Sequence, residues 1–345
     1  MAFSLTPTYG KQNVPVFKVQ KPSGKRHEIV DMVVSIMLEG DVAKSWLTGE
    51  NSQILPTETQ KNTCYAIALE TDFRCIEQYA LALGRDILSR HRHLTAANVE
   101  VKERVWRRVM HSDGRGHNHA FMRGRNPTQR RCRVRVTHDR TATRVASGIG
   151  DVVLMKTAQS GFKGFIQDKY TNLKPVGAGT GVKGADPDRI LCTELEGWWT
   201  YTPSMLPDGY DYKAANARVL QKLLDTFCGP PMNGRYSLSL QDTAYCVATA
   251  ILKENPAIAE VSLATPNVHF YTYPLKQFGL LNPNVVFQST DCHTTASGRI
   301  CTLVRRGIGG TFSPLSEMKK KEEEGEEKGE KRKKKKREER GRSEA

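Results

Sequence analysis

The chain has no Cys-x-x-Cys pair, no apolar run of the roughly eighteen residues a membrane helix needs, and no apolar segment behind a basic start. The first absence argues against a zinc knuckle or a disulfide framework. Cys64, Cys75, Cys132, Cys192, Cys228, Cys246, Cys292 and Cys301 are scattered singly and are expected to be reduced, buried thiols. The other two absences predict a protein that neither spans a membrane nor carries a secretory signal, and so an intracellular one. A phosphate loop is poorly represented as well: "KPVGAGTGVKGADPDR" (174–189) is Gly-rich, but no helical pattern follows its "GAGTG". The last stretch, 317–345, has almost no apolar residue, cannot bury a core, and is expected to be disordered or a solvated helix.

What is present is a chain of 345 residues, 38% hydrophobic, long enough for two domains with proper cores. Its formal charge is +15, and the excess is concentrated. Residues 102–144 hold 13 Lys or Arg against 3 acids, whereas 317–345 hold 13 against 10. The internal block could neutralise nucleic-acid phosphates. A basic rim or loop that attracts small anions is the blander reading, and the preferred one.

Period-two alternation marks "EIVDMVVSIMLEGD" as a half-buried strand, with Val30, Met32, Val34, Ile36 and Leu38 on one face. "KQNVPVFKVQK" is a second strand, whose Pro15 suggests an edge or a bulge. "NTCYAIALE" is extended or helical. "CIEQYALALGRDILSRH" places Ile76, Tyr79, Ala80, Leu83 and Ile87 on one helical face. "NVEVKERVWRRVM" and the region of "HAFMRGR" return to strand character. The second half repeats the order: strands at "DVVLMKTAQSGF" and "RILCTELEGWWTYTP", helices at "ANARVLQKLLDTFCG" and "LQDTAYCVATAILKEN", then strands at "IAEVSLATPNVHFYTYPL" and "RICTLVRRG". Two copies of strand, strand, helix, helix, strand, strand imply an α+β protein whose antiparallel sheet is covered on one face by two helices per copy. The expected organisation is 1–150, 151–316 and a charged tail, 317–345.

His269 in "NVHFYTYPL" could be a metal ligand, a catalytic group or a satisfied core histidine. Alternation puts Asn267, His269, Tyr271 and Tyr273 on one strand face. His91 with His93, and His117 with His119, have the spacing that would point two imidazoles to one face of a strand, yet no carboxylate or cysteine joins them at ligand spacing. No bound metal is expected. An isolated aromatic such as Phe162 reads more readily as a core residue.

"YGKQNV", "LPTETQKNT" and "PNVHFYTYPLKQFG", with "GFKGFIQDKYTNL", "SLQDTAY", "HRHLTAANVEV" and "HNHAF", together resemble the urate oxidase (uricase) family of the tunnelling fold, over about residues 9–310. The resemblance implies two tandem tunnelling-fold (T-fold) domains, each a ββααββ unit. It also implies a homotetramer with active sites at subunit interfaces, and oxidation of urate by O2 and water to 5-hydroxyisourate and hydrogen peroxide with no cofactor. Lys11 and Thr57 match the family's proton-transfer dyad and His269 its third catalytic group. Phe162 matches the ring that stacks on urate, Arg189 and Gln241 the groups that grip its edge, and Asn267 the residue that holds oxygen or water above the ring. Leu240 stands where valine is common and would offer its backbone N–H; Glu58, where aspartate is common, joins Thr57 among the substrate-binding positions. A peroxisomal location is implied, although the chain ends Ser343-Glu344-Ala345 rather than in a Ser-Lys-Leu tripeptide; cytoplasm is the alternative. A nucleic-acid-binding protein using 102–144 and the tail is the rival from another class. A pterin or purine hydrolase of the same fold is a second enzyme alternative.

Overall fold

The structure is a computed structural model and describes residues 3–22, 24–124, 128–162, 164–171, 189–206, 209–289 and 297–307. The Gly-rich stretch and the charged tail lie outside the described residues. The first copy of the repeat opens with β1 (Thr8–Gln20) and β2 (Glu28–Gly40), an antiparallel pair. Pro15 does lie on an edge strand, and the register shifts between Lys11 and Val14, where Asn13 adopts a φ of 58°. In β2, Met32, Val34, Ile36 and Leu38 are fully buried, as the alternation requires. A single turn, α1 (Lys44–Leu47), precedes α2 (Thr57–Glu70) and α3 (Ile76–Arg90). The stretch left ambiguous in the sequence is therefore helical, and α3 buries the five residues expected of it.

β3 (Leu94–Glu103) then pairs with β2, and a hairpin, β4 (Arg107–Met110) with β5 (Gly116–Met122), interrupts the order before β6 (Gln129–Thr137) returns to β3. β6 corrects the reading of the basic block as a rim or loop. Cys132, Val134 and Val136 face the helices, while Arg131, Arg133 and Arg135 stand on the opposite face. Those arginines meet carboxylates on other strands of the same sheet, Arg131 with Glu196 at 2.9 Å, Arg133 with Glu100 on the adjacent β3 at 3.0 Å and Arg135 with Glu39 on β2 at 2.7 Å. Much of the block's charge is thus matched across the sheet rather than gathered into a loop.

The second copy comprises β7 (Arg144–Lys156), β8 (Leu191–Tyr201), α4 (Tyr212–Cys228), α5 (Leu240–Glu254), β9 (Ile258–Val268) and, after the small hairpin β10 (Phe270–Thr272) with β11 (Phe287–Ser289), β12 (Arg299–Arg305). Among the described residues, eight strands form one antiparallel sheet in the order β1-β2-β3-β6-β7-β8-β9-β12. The boundary expected after residue 150 falls inside β7, at a bulge where Asp151 takes a φ of 58°. One cluster of buried apolar side chains runs beneath both helix pairs.

A buried polar network fastens this seam. Glu77 at the start of α3 is fully buried, accepts from Ser147 Oγ at 2.6 Å and meets Arg130, which also pairs with Glu103 at 2.8 Å. Tyr201 donates to Ser147, and Trp199 Nε1 donates to Tyr201. Burial raises the Glu103 carboxyl above the usual range, and Arg130 opposes that shift. The cysteine expectation needs amendment: Cys64, Cys75, Cys132, Cys192 and Cys246 are buried, but Cys228, at the end of α4, and Cys301, on edge strand β12, are exposed. Cys292 lies outside the described residues. Burial pushes the Cys64 thiol up to about 11 and that of Cys75 to about 12, far from a reactive thiolate. Among the described residues, no helix is long and apolar enough to cross a membrane.

Candidate functional site

α5 begins abruptly because Ser239 caps it, its Oγ accepting from Asp242 N at 3.0 Å. The first N–H groups of a helix have no acceptor within it, so Leu240 and Gln241 present backbone donors at the positive end of a fifteen-residue helix. Beside them, the segment after β7 is held to the segment before α5. Gly161 N donates to Ser237 O and Ser237 N to Gln159 O, both at 2.9 Å. A Cβ at Gly161 would displace the Tyr236 hydroxyl, which lies over the glycine. Arg189 N donates to Ser160 O at 3.1 Å, and Ser160 Oγ donates back to the Arg189 carbonyl.

These contacts close a cavity of about 160 Å³ lined by Phe162, Arg189, Leu240, Gln241, Asn267 and His269, together with Gly161, Leu191, Ser239 and Ile300. Six residues picked out in the sequence thus converge from four separate stretches. The last four lining residues escaped the sequence reading. Only Ser239 left a signal, the "SLQD" capping pattern before an apolar helix. Phe162 stacks on Phe165, centroids 5.0 Å apart and planes 8° apart, which steadies the ring. Larger clefts exist elsewhere, including one of about 760 Å³ lined by Glu103, Arg130 and Lys213, but none of the six residues lines it.

His269 departs from the expected continuous strand. β9 leaves the large sheet after Val268 and, among the described residues, β10 pairs only with β11, so His269 sits at the break between them. Asn267 and His269 still share the cavity, and the imidazole stacks on Tyr271 at 5.8 Å. Arg189 Nη2 lies 3.3 Å from His269 Nδ1. A guanidinium can only donate, so Nδ1 accepts and the neutral ring carries its proton on Nε2. Burial first, and the Arg189 charge second, lower the His269 pKa below the ordinary histidine value, which fits that neutral form.

The remaining expected residues are not brought to this cavity. Lys11 lies on β1, and Thr57 and Glu58 are exposed at the start of α2, which packs against β1. β1 and β9 are six strand spacings apart, roughly 29 Å along the sheet. The histidine pairs also divide. His117 and His119 share a face of β5 with rings 4.7 Å apart, whereas His91 and His93 occupy the turn after α3, and His93 Nε2 meets Gln53 O at 2.8 Å. Among the described residues, no group of three or more His, Cys, Asp or Glu side chains is placed to hold a metal ion.

An antiparallel sheet built from two ββααββ units with both helix pairs on one face defines an α+β protein of the tunnelling-fold class. The chain matches the uricase family over residues 7–134 and 145–297. It is 32% identical over 293 residues to a uricase of Dictyostelium discoideum, covering 84% of this chain and 94% of that protein. With uricase-2 isozyme 2 of Glycine max it shares 36% over 273 residues, 78% of this chain and 84% of the relative. The crystal structure of uricase from Arthrobacter globiformis superposes with a TM-score of 0.77 at 29% identity, over 92% of this chain and 99% of that one. The chain belongs to the uricase family.

Proposed function

We propose that the chain is a urate oxidase that converts urate, O2 and water to 5-hydroxyisourate and hydrogen peroxide without a metal or organic cofactor. The observation that carries this reading is the convergence of Phe162, Arg189, Leu240, Gln241, Asn267 and His269 on one small cavity in a chain of this family. Each group suits one part of a flat, anionic purine. The Phe162 ring stacks on its face, the Arg189 fork and the Gln241 amide bind oxygens and nitrogens on its edge, and the α5 N-terminus with the Leu240 N–H favours its negative charge. Asn267 is assigned to hold O2 or water above the ring.

Urate must lose a further proton before its electron-rich ring can reduce oxygen. A threonine hydroxyl is too weak a base unless an amine takes its proton, so Lys11 and Thr57 act as one dyad, with Glu58 beside them. Two electrons pass from urate to O2, the C5 carbon gains the hydroxyl of water, and the peroxide takes two protons, the one urate gave to the dyad and the one water gives up through His269. That Lys11 and Thr57 stand at the opposite edge of the sheet from the cavity supports a complete site formed between copies in a homotetramer, with the dyad of one subunit meeting the cavity of the next. The two tandem units then meet at β7, which contains the boundary expected between 1–150 and 151–316. The reaction belongs to urate breakdown, and its peroxide is a reason to expect peroxisomal residence, which imaging of the tagged full chain would check.

The decisive experiment is urate-dependent oxygen uptake by metal-stripped full-length protein, with loss of urate absorbance and release of peroxide. Activity lost on chelation and regained with copper would overturn the cofactor-free claim. No turnover from about pH 6 to pH 10, with RNA binding that falls steeply with salt, would favour the nucleic-acid rival.

A further inference from the structure

Lys156, the last residue of β7, is a buried cation that the chemistry above does not use, only 9% exposed. Its ammonium donates to Ser237 Oγ at 2.7 Å, to Arg235 O at 2.8 Å and to Gln159 O at 3.3 Å. These three acceptors come from the two segments that carry the substrate-facing groups. Gln159 leads directly into Ser160, Gly161 and Phe162. Arg235 and Ser237 lead into the Ser239 cap, Leu240 and Gln241. The third piece hangs on the same assembly, since Ser160 exchanges bonds with the Arg189 backbone at both its oxygens.

The local backbone adds a reason for such a clamp. Gln159 holds a φ of 58°, a left-handed conformation that non-glycine residues adopt only where surroundings enforce it. The Lys156 bond to the Gln159 carbonyl is one enforcing contact and the Ser237 N–H to that same carbonyl is another. The cation also lies 5.6 Å from the Phe227 ring centroid on α4, which ties the clamp to the helical layer. Burying an ammonium is costly, and a methionine of similar length would fill the space without that penalty. The charge is explained if what it holds in place matters more than what it costs.

We propose that Lys156 is a positioning residue for substrate binding: its ammonium sets the stacking ring Phe162 and the gripping groups Gln241 and Arg189 at their mutual spacing by bonding both segments that carry them. The inference rests on the urate oxidase reading above. Wild-type oxygen uptake tests that reading, and the ratio of variant to wild type tests this one.

The variants are Lys156→Met, which keeps the length and removes the charge, and Lys156→Arg, which restores a cation. The readouts are KM and kcat for urate, the Kd for xanthine as a purine lacking the C8 oxygen, and the melting temperature. For Lys156→Met, KM and the xanthine Kd are expected to rise together by about tenfold or more while kcat changes by less than about threefold, with Lys156→Arg recovering most of the loss. A Lys156→Met enzyme with KM and Kd within about twofold of wild type, whatever its melting temperature, overturns the proposal. If that variant does not fold, Ser237→Ala decides, because it removes the nearest acceptor and leaves the cation in place. A rise in xanthine Kd of roughly twofold to fivefold supports the clamp, and an unchanged Kd overturns it.

Discussion

At one edge of the sheet Lys11 stands beside a bulge in β1, with Thr57 and Glu58 exposed at the start of α2; toward the other edge, six residues already enclose a cavity between β8, β9 and α5. Gripping a planar ligand requires several groups held at fixed spacing, and the second half supplies that within one chain through a capped helix, a paired loop and a buried cation. Proton transfer requires only two groups within reach of one ligand atom. On the proposed reading, the first half carries its contribution on an edge strand and delivers it to another copy. On that reading, the stacking and gripping groups thus lie in the second half together with His269 while the Lys11 and Thr57 dyad lies in the first, and this division can be tested.

The largest effect is expected from mixing two defective chains. Lys11→Ala and Arg189→Ala should each lose most activity as pure proteins, by about a hundredfold or more for the first. Co-assembled, they should regain measurable urate oxidation through sites that take the dyad from one chain and the cavity from the other. No rescue in verified mixed tetramers would place both halves of the site in a single subunit.

Within the dyad, Lys11→Met and Thr57→Ala should each lower kcat by at least about tenfold, and the double variant should be little worse than the poorer single one. Steady-state rates settle this, and losses that multiply would show two separate steps. Xanthine should still bind to these variants within about an order of magnitude of wild type, since the cavity is untouched. Arg189→Ala should do the reverse and weaken xanthine by roughly tenfold to a hundredfold, the worth of a charge-assisted pair of about 1.5 to 3 kcal/mol, as calorimetry would read directly.

Smaller effects concern the frame. Ser147→Ala leaves the fully buried Glu77 carboxylate short of a donor and should cost about 1 to 3 kcal/mol, measured by chemical denaturation, with KM unchanged. The smallest is a shift in titration. The His269 imidazole, followed by NMR, should titrate below the ordinary histidine value of about 6.5. Its pKa is lowered on folding, so its contribution to stability is present above about pH 6.5 and is lost as the pH falls through the lowered value. A midpoint at or above the ordinary value would mean that neither burial nor Arg189 governs this ring.

Local pattern alone carried much of the architecture. The alternation of Val30 to Leu38, the helical face of Ile76 to Ile87 and the doubled order of elements follow from side-chain periodicity, which each segment displays without knowledge of its neighbours. The identities of Phe162, Arg189, Gln241, Asn267 and His269 were legible too, because their motifs resemble a known family. Partnership is not a local property. Arg131, Arg133 and Arg135 read as unbalanced charge until β6 is laid between β3 and β7, where Glu100, Glu39 and Glu196 come within reach. His269 read as one more residue of a strand until β9 was seen to end at Val268, when its aromatic run left the large sheet for a small hairpin. Only strand order puts Lys11 and the cavity at opposite ends of the sheet, and only the approach of two loops around an ammonium gives Lys156 its place, because both depend on contacts between residues far apart in the chain.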